Sequence, residues 1–115
     1  MYQTVVKSIG KDATAFNAEK MVILFGENAP QELVDYCYII EVNNVDTITE
    51  EQRLYIDGES YEITKVGNSV IKNLNDLGHI TLKFDGSTEA EQSGTLYLED
   101  KALPTITVGS SIIIR

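Results

Sequence analysis

The chain has one cysteine, one histidine, two prolines and no tryptophan, and these scarcities remove whole classes of explanation. Cys37 alone can form no disulfide within the chain, so a reducing compartment is the simpler home. One cysteine and one histidine fall short of the four N or S ligands that a structural zinc site usually needs. No metal and no cofactor is expected. Apolar runs are short: none approaches the roughly 20 residues of a membrane span. The opening MYQTVVKSIG lacks the basic-then-apolar order of a signal peptide. A cytoplasmic protein without direct membrane insertion is the expectation. Cations are also few, 9 Lys+Arg against 18 Asp+Glu, for a net charge of −9. Nucleic acid and anionic membranes are poor partners for such a surface, because each phosphate contact needs a cation. Transient docking on a basic protein face suits it better. The glycines are scattered as turns and caps, without the G-x-x-x-x-G-K-[ST] of a phosphate loop.

What the chain does have is alternation. The runs 2–9, 20–25, 37–42, 53–56, 60–66, 79–84, 94–99 and 110–115 are short and rich in β-branched and aromatic residues. Asp57-Gly58 between two of them is a strong hairpin signal. At 115 residues with 43% apolar content, one domain over 1–115 is the natural reading. The expected fold is all-β: a small closed barrel of about seven short strands with one or two short helices. Closure removes exposed strand edges. Helical spacing appears twice. In ENAPQELVDYC (27–37), Asn28 can cap, Pro30 suits the first turn, and Leu33 with Tyr36 or Cys37 gives a stripe. In NSVIKNLNDLG (68–78), Asn68 or Ser69 can cap, Val70, Ile71, Leu74 and Leu77 form the stripe, and Gly78 closes the helix. The stretch 43–52 fits a loop or a further strand.

The one histidine, His79, stands at the joint between this second helix and the strand HITLKF. Alternation puts Ile80, Leu82 and Phe84 on one face and His79, Thr81 and Lys83 on the other. If the apolar set fills the core, an imidazole points outward beside a hydroxyl and an ammonium. That arrangement can serve as a nucleophile toward phosphorus, with Thr81 and Lys83 supporting the phosphoryl oxygens. A lone histidine on a strand is more often a structural or surface residue. Cys37 and His79 could form a dyad, although a buried thiol heading the apolar CYII is the better reading. Glu50, Glu51, Glu89 and Glu91 could pair for glycosidase chemistry, but a solvated acidic rim fits them better.

The run VGNSVIKNLNDLGHITLKFDGSTEAEQSGTLYL (66–98) resembles the glucitol/sorbitol-specific enzyme IIA family of the bacterial phosphotransferase system. The residues that carry the resemblance are VG at 66–67, NL at 73–74, LGHITLKFDG at 77–86, EAE at 89–91 and GT at 94–95. FGENAPQELVDYCYI (25–39) and YQTVVKSIG (2–10) extend it over nearly the whole chain. The resemblance implies a barrel-like phosphocarrier that takes a phosphoryl group on histidine from HPr. It would hand the group to the IIB part of a glucitol/sorbitol permease, with IIB and IIC as partners. Some relatives have a histidine just after the DYCYI block; here Ile40, Glu41 and Val42 stand there. The resemblance thus implies His79 as the phosphorylated residue, with Thr81 and Lys83 as candidate supports. Two other readings remain at the level of sequence. One is a non-catalytic interaction module on the same barrel. The other is a sugar-binding barrel walled by Tyr2, Tyr36, Tyr38, Tyr55, Tyr61 and Tyr97.

Overall fold

Period-two alternation becomes eight strands in the computed structural model, which describes residues 1–115. They are β1 (Tyr2–Ile9), β2 (Met21–Phe25), β3 (Tyr38–Ile40), β4 (Arg53–Ile56), β5 (Glu59–Val66), β6 (Ile80–Lys83), β7 (Thr95–Leu98) and β8 (Ser111–Ile114). One α-helix, α1 (Val70–Leu77), separates β5 from β6. The strands close into a barrel in the order β1-β3-β2-β6-β7-β5-β4-β8. Neighbours are antiparallel except for two parallel pairs, β2 with β3 and β6 with β7. The expected closed barrel with about seven strands is therefore an eight-stranded one, with a single helix.

Asp57-Gly58 makes the two-residue hairpin between β4 and β5, pairing Ile56 with Glu59. Both turn residues have positive φ, 50° and 87°, as the turn that matches strand twist requires. Inside, alternate residues such as Leu54, Ile56, Leu82 and Leu96 interdigitate in one cluster of 23 buried side chains. An eight-stranded barrel is just wide enough for its side chains to fill. The tyrosines therefore do not converge on one sugar cavity inside the barrel. Tyr2 and Tyr61 are core residues, Tyr55 lies under the Arg115 guanidinium, and Tyr36 packs outside against Phe16.

Two segments differ from the helix-or-strand expectation. The stretch 27–37 holds only a single 3-10 turn, Val34–Tyr36. Leu33 and Val34 N–H both donate to the Pro30 carbonyl, and Cys37 is already extended to enter β3. Little more than one turn fits between those two constraints. The stretch 43–52 contains no strand. Val45 and Ile48 bury themselves against the barrel instead. The Asn75 side-chain amide accepts from Val45 N–H at 2.7 Å and donates to its carbonyl at 2.8 Å, tying the loop to α1.

Candidate functional site

Helix α1 delivers the histidine. Val70 and Leu74 bury its inner face, while Leu77, the last member of the stripe, remains exposed. Ser69 occupies the N-cap position without a side-chain cap bond; instead the Val70 N–H donates to the Gly67 carbonyl. At the other end Gly78 takes φ 67°, and its N–H returns to the Leu74 carbonyl at 3.1 Å. This is the left-handed stop that glycine accepts without steric cost. The chain then turns directly into β6.

Alternation along β6 falls as the pattern requires. Ile80, Leu82 and Phe84 are buried in the barrel, and His79, Thr81 and Lys83 are half-buried on its outside. All three line one open hollow of about 430 Å³. Its floor is the outer face of β2, β6 and β7, where Met21 pairs with Lys83, Thr81 with Thr95, and Lys83 with Tyr97. Its walls are Asn73 from α1 and Glu91, Gln92 and Gly94 from the loop before β7. Lys83 is the one cation in the lining and Glu91 the one carboxylate. Lys83 Nζ also stands 3.7 Å from Asp85.

His79 is held by two groups of β2 that the sequence pattern did not single out. Its Nδ1 lies 3.1 Å from the Leu24 carbonyl. Its ring stacks on Phe25, with centroids 4.1 Å apart and planes 18° from parallel. Phe25 follows the inward-facing Leu24 and belongs to a small outer cluster with Cys37 and Ile39. An apolar residue at an outward position of β2 was the available signal for it. A carbonyl oxygen can only accept, so the Nδ1 contact is a hydrogen bond only when Nδ1 carries the proton. In the neutral ring, Nε2 then holds the free lone pair.

A second hollow, of about 410 Å³, shares His79 and Thr81 and is otherwise apolar, with Phe16, Ile23, Leu33, Tyr36 and Cys37. Cys37 lies near the imidazole, but its thiol donates to the Leu33 carbonyl at 3.2 Å. Burial pushes that thiol's pKa upward, which keeps it protonated. It is a packing residue, as expected. Ile40 is fully buried inside the barrel, while Glu41 and Val42 are exposed.

A family model described as the PTS system glucitol/sorbitol-specific IIA component matches residues 1–113. The chain is similar to the PTS system glucitol/sorbitol-specific EIIA components of Shigella flexneri and Escherichia coli (strain K12). Identity is 36% and 35% over 111 residues, which cover 96% of this chain and 90% of each relative. It is also similar to the crystal structure of a PTS system IIA component from Enterococcus faecalis V583. That likeness has a TM-score of 0.84 at 34% identity and covers 97% of this chain and 98% of the other.

Proposed function

The chain belongs to the glucitol/sorbitol-specific IIA family of the phosphotransferase system, and from that membership we propose that His79 Nε2 is its phosphoryl acceptor. The observation that carries this is the Nδ1 contact with the Leu24 carbonyl, which leaves Nε2 free of protein partners on an outward-facing ring. Stacking on Phe25 fixes the ring plane. A nucleophile held this way needs little reorganisation to meet phosphorus in line.

The donor is HPr carrying phosphohistidine. A new bond joins Nε2 to phosphorus as the donor's N–P bond breaks, and the electron pair of that bond stays on the donor imidazole. The Nδ1 proton remains on Nδ1, bound to the Leu24 carbonyl. The phosphorylated ring is therefore formally cationic, which makes it a good leaving group for the next transfer. That transfer goes to the IIB component of a glucitol/sorbitol permease whose IIC component lies in the membrane. Such a carrier acts as a protein-histidine phosphotransferase in the cytoplasm. No helix of this chain is long and apolar enough to cross a membrane. Thr81, on the same strand, supports the phosphoryl oxygens, and Lys83 beside it contributes only weakly because Asp85 lies within ion-pair reach.

The test is phosphorylation by phosphoenolpyruvate, enzyme I and HPr, comparing the native protein with His79→Ala by intact mass. An acid-labile gain of one phosphoryl group is expected in the native protein alone, and ³¹P–¹H NMR should assign it to Nε2. A folded native protein that takes no group, with HPr shown active on another acceptor, would end the carrier reading.

A further inference from the structure

Transfer to His79 brings three charged oxygens into a hollow whose own charges nearly cancel. Lys83 is opposed there by Glu91, and Asp85 lies within ion-pair reach of it. An ammonium already facing a carboxylate in a solvent-open site is a weak electrostatic clamp. Neutral donors therefore decide how the phosphoryl group is held, and the hollow has them. Asn73, Gln92 and Thr95 line it beside Thr81, and the side chains of all four are without a hydrogen-bond partner within the protein. Of the three half-buried asparagines, Asn43, Asn73 and Asn75, only Asn73 has an unengaged side chain. The Asn43 amide donates to the Gln3 carbonyl, and the Asn75 amide is engaged at both ends by Val45.

Asn73 is the best placed of these donors. It belongs to α1, the helix whose stop sets His79, and its backbone carbonyl accepts the His79 N–H at 3.3 Å. Its Nδ2 lies beside Gly94, only 3.3 Å from where a Cβ on that residue would sit. Gly67 brings the helix start against the same loop. A Cβ there would fall 2.3 Å from the Ser93 carbonyl oxygen, and Ser69 N–H donates to that oxygen at 2.9 Å. The residues that carry the family resemblance at 67, 73, 79, 91 and 94–95 thus converge on one cradle, although they span nearly thirty residues of chain.

We infer that the Asn73 side-chain amide, with the Thr81 and Thr95 hydroxyls and the Gln92 amide, is the receptor for the phosphoryl oxygens on His79 Nε2. Asn73 is its principal donor. The inference rests on His79 being the acceptor and adds which groups hold the anion. Amides and hydroxyls aimed at developing oxyanion charge stabilise the transition state more than the ground state. They also leave the finished phosphohistidine without a strong cation, so it stays transferable.

Two measurements test it. In the first, single-turnover acceptance from phospho-HPr is compared for the native protein, Asn73→Ala and Asn73→Ser. Removing one donor from a solvent-open site should slow acceptance at saturating donor about tenfold, less than the roughly 10²–10³ lost with a donor of a water-excluded oxyanion hole. Melting temperature should change little, because alanine and serine are at least as helix-favouring as asparagine. In the second, His79 is phosphorylated chemically with phosphoramidate and side-chain amide signals are followed by ¹⁵N NMR. The Asn73 signals should shift strongly, and those of Asn43 and Asn75 should not. Variants as fast as the native protein, or unmoved Asn73 signals, would overturn the receptor. An Asn73 shift in a native protein that refuses phospho-HPr would keep the receptor and end the carrier reading.

Discussion

One residue with no side chain sets the direction of the imidazole. Gly78 turns the chain from helix to strand at φ 67°, so the next residue leaves on the outer face of β6. A Cβ at position 78 would lie 3.1 Å from Gly26 N and 3.3 Å from Val42 Cγ2. Gly26 in turn donates its N–H to the Leu77 carbonyl at 2.8 Å, which docks the end of β2 on the end of α1. The same docking presents the Leu24 carbonyl and the Phe25 ring to His79. Gly78→Ala should therefore do two things. It should cost about 1–2 kcal/mol from the left-handed backbone alone, read as a lowered urea midpoint. It should also slow phosphoryl acceptance in protein that is still folded, because the imidazole is displaced from its carbonyl. Gly78→Asn, which tolerates the left-handed region better, should lose less on both counts.

At the scale of elements, the β4–β5 hairpin shows how a local signal is used for a distant purpose. Asp57 serves the turn, and its carboxylate also accepts from Ser110 Oγ at 2.7 Å and Ser111 N–H at 2.9 Å, fastening the start of β8. These bonds hold the Asp57 carboxyl below its ordinary value of 3.8. A carboxylate depressed on folding stabilises the native state fully above its unfolded value, and that contribution is lost as pH falls through the lower folded one. Asp57→Asn keeps the turn but loses the charge. It should be less stable than the native protein at pH 7, by about 1 kcal/mol given an exposed site. The difference should shrink below the ordinary carboxylate value, as followed by urea unfolding across pH. The turn itself was readable from Asp-Gly, but its link to β8 was not. The same division holds at the site. Alternation in HITLKF and the glycine stop placed His79, Thr81 and Lys83 on one outer face. Thr95 reaches them only through the parallel β6–β7 pairing, and Leu24 only through the antiparallel β2–β6 register. No local period encodes which strand lies beside which, so the receptor was invisible until the barrel closed.

Over the whole molecule, charge and apolar surface offer a partner two different handles. The net charge of −9 is general to the chain, whereas the hollow at His79 has one cation and one carboxylate. The apolar shoulder on the other side of the imidazole exposes Leu33 at 43% and Tyr36 at 39%. For a basic partner, long-range attraction would come from the molecule and close contact from the shoulder. A phosphoryl donor with a basic docking face would be steered by the first and seated by the second. The two contributions separate by salt. Raising ionic strength from about 0.01 to about 0.1 M shortens the Debye length from about 30 to about 10 Å and removes steering while leaving apolar contact intact. Acceptance from phospho-HPr at subsaturating concentration should fall several-fold over that range, and the rate at saturation should hold, because the receptor is made mainly of neutral donors. Stopped single-turnover measurements at the two salt concentrations give both numbers. A second-order rate indifferent to salt would mean that the acidic surface plays no part in encounter. A saturating rate that fell with salt would shift the holding of the phosphoryl group from Asn73 back to Lys83.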